Sequence, residues 1–152
     1  MKLAEALTLR ADAQKRIKQL QSRLVDNARI QGGEKPAENP QELLEQLDRT
    51  ITQLAGLISS INRTNVATSF EANANLSDAI TRRDMLRLRR EVLNSLATTA
   101  ARPADRFRHT ELRELSTVDV RALRFEIDDL ARLHRELDTQ IQGLNWTTEL
   151  LD

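Results

Sequence analysis

Leucine, isoleucine and alanine recur along most of this chain at intervals of three and four residues, the spacing that stripes one side of a helix. A pattern of that length leaves few alternatives to helices packed lengthwise. In the first segment Leu3, Ala6, Ala13, Ile17, Leu20, Leu24 and Ala28 share a face. In the second the stripe is Leu44, Leu47, Ile51, Leu54, Ile58 and Ile61. A third carries Met85, Leu86, Val92, Leu93 and Leu96, and a fourth Val120, Leu123, Ile127, Leu130, Leu137 and Ile141.

Local signals bound these segments. Gly32 and Gly33 stop the first helix, and Glu34 to Glu38 is a polar link. Asn39, Pro40 and Glu42 form a capping box with proline at the first helical position. Ser77 is read as the cap of the third helix and Pro103 closes it; Ser116 with Asp119 reads as a second capping box, and Gly143 as the stop of the fourth helix. The predicted helices span about 2–29, 40–64, 77–100 and 118–142. The fold class is all-α, a bundle or coiled coil of long antiparallel helices in a single domain over 1–152. Residues 66–70 and 110–118 are candidates for pairing as a small two-stranded ribbon. At 1.5 Å per residue a 25-residue helix is about 37 Å long, and such rods leave apolar edges that a second copy can cover. A homo-oligomer is the expected assembly.

Composition removes several function classes. The 152 residues hold 23 basic and 23 acidic side chains, so no net field draws the chain to nucleic acid. There is no cysteine, which excludes disulfides, thiolate catalysis and cysteine metal sites. No Walker loop, dinucleotide fingerprint, serine elbow or His-Glu-x-x-His motif occurs, and Ala131 stands where a bundle metal site would place a glutamate before His134. Neither metal nor cofactor is expected. Met1 to Leu7 leads directly into a charged amphipathic pattern without a signal-peptide core, and no apolar run approaches the roughly 20 residues of a membrane span. The expected location is cytoplasmic, without stable membrane insertion.

Polar residues on or beside the stripes are the candidate sites. Arg10 falls among apolar residues of the first helix, Arg82 and Arg89 sit seven apart on the third, and His134 lies between Leu130 and Leu137 with Asp138 one turn on. They pair structurally, or His134, Asp138, Arg82 and Arg89 form an internal polar layer that fixes register or binds a small anion. Arg83, Arg87 and Arg90 read as a solvated basic ridge. Asn62, Arg63 and Asn65 either tie down the end of the second helix or line a ligand pocket with Asn145 and Trp146. No positioned nucleophile or acid–base pair accompanies them, so the chain reads as a structural or interaction protein more than an enzyme.

The segments Ile61 to Asn65, Leu76 to Asp84, Ser116 to Val120 and Asn145 to Thr148, with the opening Met1 to Leu7 and Arg10 to Asp12, resemble the septicolysin-like family of small bacterial proteins, many of them actinobacterial. The resemblance spans the chain and implies a membrane-active toxin as an alternative function. It carries over no catalytic residues.

Overall fold

The computed structural model describes residues 1–103 and 113–152. It contains α1 (Leu3–Asp26), α2 (Pro40–Ala67), β1 (Ser69–Glu71), β2 (Ala74–Asn75), α3 (Leu76–Ala100) and α4 (Val120–Thr147). The described residues are thus all-α apart from one small ribbon. It forms two compact units, one made of Met1–Asn75 with Gln142–Asp152 and the other of Leu76–Ile141.

In the first unit α1 and α2 pack against one another. Their antiparallel sense follows from what meets at each end. Near the end of α1, the Arg23 guanidinium pairs with Glu38, two residues before α2 begins. At the other end the tail touches both helices: Leu3 N donates to the Thr148 carbonyl at 3.0 Å, and Leu151 N donates to Thr64 Oγ1 at 2.9 Å. The start of α1 and the last turn of α2 are therefore neighbours.

The contact faces repeat strictly. On α1 the inward positions are Leu3, Ala6, Arg10, Ala13, Ile17, Leu20 and Leu24, each buried or half-buried. On α2 they are Leu43, Leu47, Thr50, Leu54, Leu57, Ile61 and Thr64. Steps of three and four alternate without exception, the spacing of a narrow lengthwise seam. The stripe expected on α2 is therefore displaced: Leu44, Ile51 and Ile58 are exposed. Thr50 and Thr64 take seam positions because each hydroxyl donates to the carbonyl four residues back, Gln46 and Ser60, both at 2.7 Å. That bond satisfies the polar group, so the residue brings its methyl to the seam.

Helix ends follow side-chain hydrogen bonding more closely than glycine positions. α1 stops at Asp26, ahead of Gly32, because Asn27 Nδ2 donates to the Arg23 carbonyl at 2.9 Å and its Oδ1 accepts from Glu38 N at 2.9 Å. Asn39 caps α2 as expected, its Oδ1 accepting from Gln41 N at 3.0 Å, while Glu42 is held by the Asn39 side chain at 3.4 Å. Asp119, not Ser116, caps α4, accepting from Ala122 N at 3.0 Å. α3 begins at Leu76, one residue before Ser77, as the chain passes straight from β2 into the helix. α4 continues through Gly143, where a helix interior tolerates glycine at a cost of about 1 kcal/mol relative to alanine, so Leu144, Asn145 and Trp146 are helical.

The ribbon also differs from expectation. β1 pairs antiparallel with β2, Ser69 opposite Asn75 and Glu71 opposite Ala74. A tight local turn wins over a distant strand because it closes a much shorter loop. Of the segment expected to pair with 66–70, residues 113–118 contain no strand and 110–112 lie outside the described residues.

Within the second unit α3 and α4 are antiparallel, since Arg83 meets Asp138 and Arg89, further along α3, meets Glu126, further back on α4. The inward positions of α3 are Leu76, Ala79, Arg83, Leu86, Arg90, Leu93 and Ala97, and those of α4 within this unit are Val120, Leu123, Ile127, Leu130, His134, Leu137 and Ile141. Both follow the same alternation of three and four.

Two predictions test these assignments. Ile61→Ala removes a side chain that is 1% exposed and lowers unfolding free energy by about 2–5 kcal/mol, whereas Ile51→Ala stays within about 0.5 kcal/mol, as read by urea denaturation. Lys2 and the N-terminal ammonium hold Glu149 below the usual carboxylate range, and Arg23 does the same for Glu38 through their hydrogen bond. Depressed carboxylates stabilise the folded state above their unfolded value of about 4.3, and that stability drains away as pH falls through and below it. The thermal midpoint therefore drops on acidification through this range, and Glu38→Gln with Glu149→Gln makes the drop shallower.

Candidate functional site

α3 is the helix whose two sides disagree with their surroundings. Its inward side carries two arginines and two alanines among seven positions, whereas its outward side carries Met85, Leu88, Val92 and Leu96. At about 100° per residue these four fall within an arc of about 80°, roughly opposite the seam. They are 54%, 51%, 59% and 40% exposed. A surface helix ordinarily turns its apolar stripe to the core and its charges to water. Here a second apolar row faces outward.

The inward side shows how charge is accommodated. Arg83 donates from Nη1 to Asp138 Oδ1 at 2.9 Å and from Nε and Nη2 to Asp84 Oδ1 at 3.1 and 3.0 Å. Partial burial works against its charge, but the hydrogen bonds it donates to Asp138 and Asp84 outweigh that and raise its pKa. The guanidinium thus crosses the α3–α4 seam as a bridge rather than standing on a solvated ridge. Arg87 lies 3.9 Å from both Asp84 and Glu91 along the exposed surface.

The residues singled out from the sequence fall in both units. Asn62, Arg63 and Asn65 belong to the α1–α2 unit, Arg82, Arg89 and His134 to the α3–α4 unit. Asn62 and Arg63 are exposed on the last turns of α2, Asn65 is half-buried, and Arg63 donates to Ser60 Oγ at 3.1 Å. Arg82 and Arg89 are exposed; Arg89 is held by Glu126, with Nε to Oε1 at 2.8 Å. His134 occupies a half-buried seam position, one turn before the Asp138 that Arg83 engages. Arg10 also takes a seam position, and its Nε is buried with no hydrogen-bond partner, as is Oδ1 of the buried Asn145 in the same unit. Among the described residues no group of three histidine, aspartate or glutamate side chains is arranged to hold a metal.

Arg83 was legible in principle. Moving the helical phase of α3 by one residue exchanges Arg82 and Arg89 for Arg83 and Arg90 at the seam, and the alternation Leu76, Ala79, Arg83, Leu86, Arg90, Leu93, Ala97 selects that phase. The stronger hydrophobicity of Met85, Leu88 and Val92 pulls a reading made from residue types toward the opposite side.

A model of a family of unknown function, DUF6847, matches residues 10–150. The crystal structure of a functionally unknown conserved protein from Corynebacterium diphtheriae is 41% identical, with 99% of each chain covered and a TM-score of 0.93. No curated protein matches. The family match and this structural neighbour overturn the septicolysin-like resemblance. The toxin reading rested on that resemblance and falls with it; among the described residues no helix is long and apolar enough to cross a membrane.

The Arg83 bridge is testable by comparison with its neighbour. Arg83→Met lowers unfolding free energy by about 1–2 kcal/mol by leaving Asp138 without its cross-seam hydrogen bond, while Arg82→Met at an exposed position changes it by about 0.5 kcal/mol or less, both read from chemical denaturation.

Proposed function

The chain belongs to the DUF6847 family, and from that premise we propose that it works as a helical interaction protein that assembles with further copies of itself through the outward side of α3. The observation that carries this reading is the exposed row of Met85, Leu88, Val92 and Leu96 on a helix whose other side is already packed. Isolated exposed apolar residues are ordinary; a contiguous row running along three turns is the form that association surfaces take. Burying such side chains contributes roughly 25 cal/mol per Å² of apolar surface, and methionine adapts its shape to a facing helix.

Charge supports a like partner. With 23 basic and 23 acidic residues, two copies approach without net repulsion. The charged groups on and beside the seam are used in structural pairs: Arg83 bonds Asp84 and Asp138, Arg87 lies 3.9 Å from Asp84, and Arg89 pairs with Glu126 at the surface. The reading involves no catalytic step.

Sedimentation velocity over a concentration series tests it. The wild type sediments as a discrete oligomer, and Leu88→Glu or Val92→Glu, at positions exposed in the single chain, converts it to the single-chain mass without loss of helical circular dichroism. A wild type that stays at the single-chain mass at every concentration overturns the reading.

A further inference from the structure

Resting on that self-assembly reading, we infer that two copies join with their α3 helices side by side and parallel, the orientation being selected by opposite charges on the two edges of the apolar row. Placed in a seven-residue repeat, Met85 and Val92 occupy one central position of the outward side and Leu88 the other. Arg82 and Arg89 then line one edge, seven residues apart, and Asp84 and Glu91 line the other, also seven apart. Leu96 extends the first edge, so between positions 82 and 91 the row has one basic and one acidic border.

When two identical helices pack along such a row, orientation decides which borders meet. In the parallel arrangement the basic border of each copy lies against the acidic border of the other, and residues flanking the central positions form the cross-helix ion pairs that set direction. Asp84 of one copy then faces Arg89 of the second, and the two-fold axis repeats the pair. In the antiparallel arrangement basic faces basic and acidic faces acidic, so Arg82 and Arg89 confront their own kind. Like charges placed opposite one another disfavour a pairing more reliably than surface ion pairs favour one.

Existing contacts leave these groups within reach of a second copy. Arg89 pairs with Glu126 at the surface, where both side chains keep substantial exposure. The contacts of Asp84 with Arg83 and Arg87 both run through Oδ1. Glu91 lies 3.9 Å from Arg87 and is largely solvated. Of the three, Arg89 and Glu91 hold their partners at the exposed surface, and only the bond of Asp84 with half-buried Arg83 reaches into the seam.

The absence of cysteine makes the orientation directly measurable. Met85→Cys and Val92→Cys are made separately in the full chain, with Gln140→Cys, exposed on α4, as the background for random collisions. A disulfide needs Cα atoms about 4.4–6.8 Å apart, a separation that the same central residue of two parallel helices meets and that residues on unpaired surfaces do not. Mild oxidation followed by intact mass gives a covalent dimer for Met85→Cys alone and for Val92→Cys alone, each several-fold above the Gln140→Cys background. With Leu88→Cys as a third variant, a disulfide that forms only when it is mixed with Met85→Cys or Val92→Cys shows antiparallel packing, in which one central position faces the other, and overturns the orientation while self-assembly through α3 stands. An oligomer by sedimentation in which none of these variants cross-links above background, alone or mixed, shows that copies meet elsewhere and overturns the inference together with its surface. A single-chain mass throughout overturns the self-assembly reading itself.

Discussion

Alternation of three and four residues between inward positions is the constraint on which this architecture rests. An α-helix advances 3.6 residues per turn, so a row averaging 3.5 drifts by only about 20° per seven residues and stays on one side of the rod over helices of this length. All four helices obey it, and they meet it with different chemistry. α1 uses alanines at Ala6 and Ala13, which let backbones approach; α2 uses Thr50 and Thr64, whose hydroxyls are turned back onto their own helix; α3 and α4 admit Arg83 and His134. Position in the repeat, more than residue type, decides what is inside.

That priority explains what could and could not be read from the amino acids. The number of helices, their lengthwise packing and the Asn39 cap follow from periodicity and local hydrogen bonding. The phase did not follow where large apolar residues lie on both sides of the helix. On α2, Leu44, Ile51 and Ile58 compete with Leu43, Leu57 and Ile61, and ranking by hydrophobicity overlooks the two threonines that complete the inner row. On α3 the same competition hides Arg83. Helix ends were misplaced where a glycine suggested a stop that no hydrogen bond required, as at Gly143, or where an asparagine ended the helix earlier, as at Asn27. The local ribbon of β1 and β2 depends on a turn at 72–73 with no strong turn dipeptide to announce it.

The candidate surface shows the same logic from outside. Charges inside the α3–α4 seam are tolerated because Arg83 spans it and finds two carboxylates. Moving polarity inward leaves the outer side of α3 unusually apolar for a surface helix. The polar atoms Arg10 Nε and Asn145 Oδ1 lack that compensation, and the α1–α2 unit relies instead on its aliphatic rows and on the bonds at its ends.

Those end bonds concentrate several tasks in a very short piece of backbone. Thr148 accepts from the first residue of α1, Leu150 donates to the Met1 carbonyl, and Leu151 donates to the hydroxyl of Thr64 near the end of α2. Four residues thus serve as a shared cap for two helices that begin and finish far apart along the chain. Losing this stretch would fray both helices at once, making its integrity a condition for order at the start of α1 and the end of α2 alike.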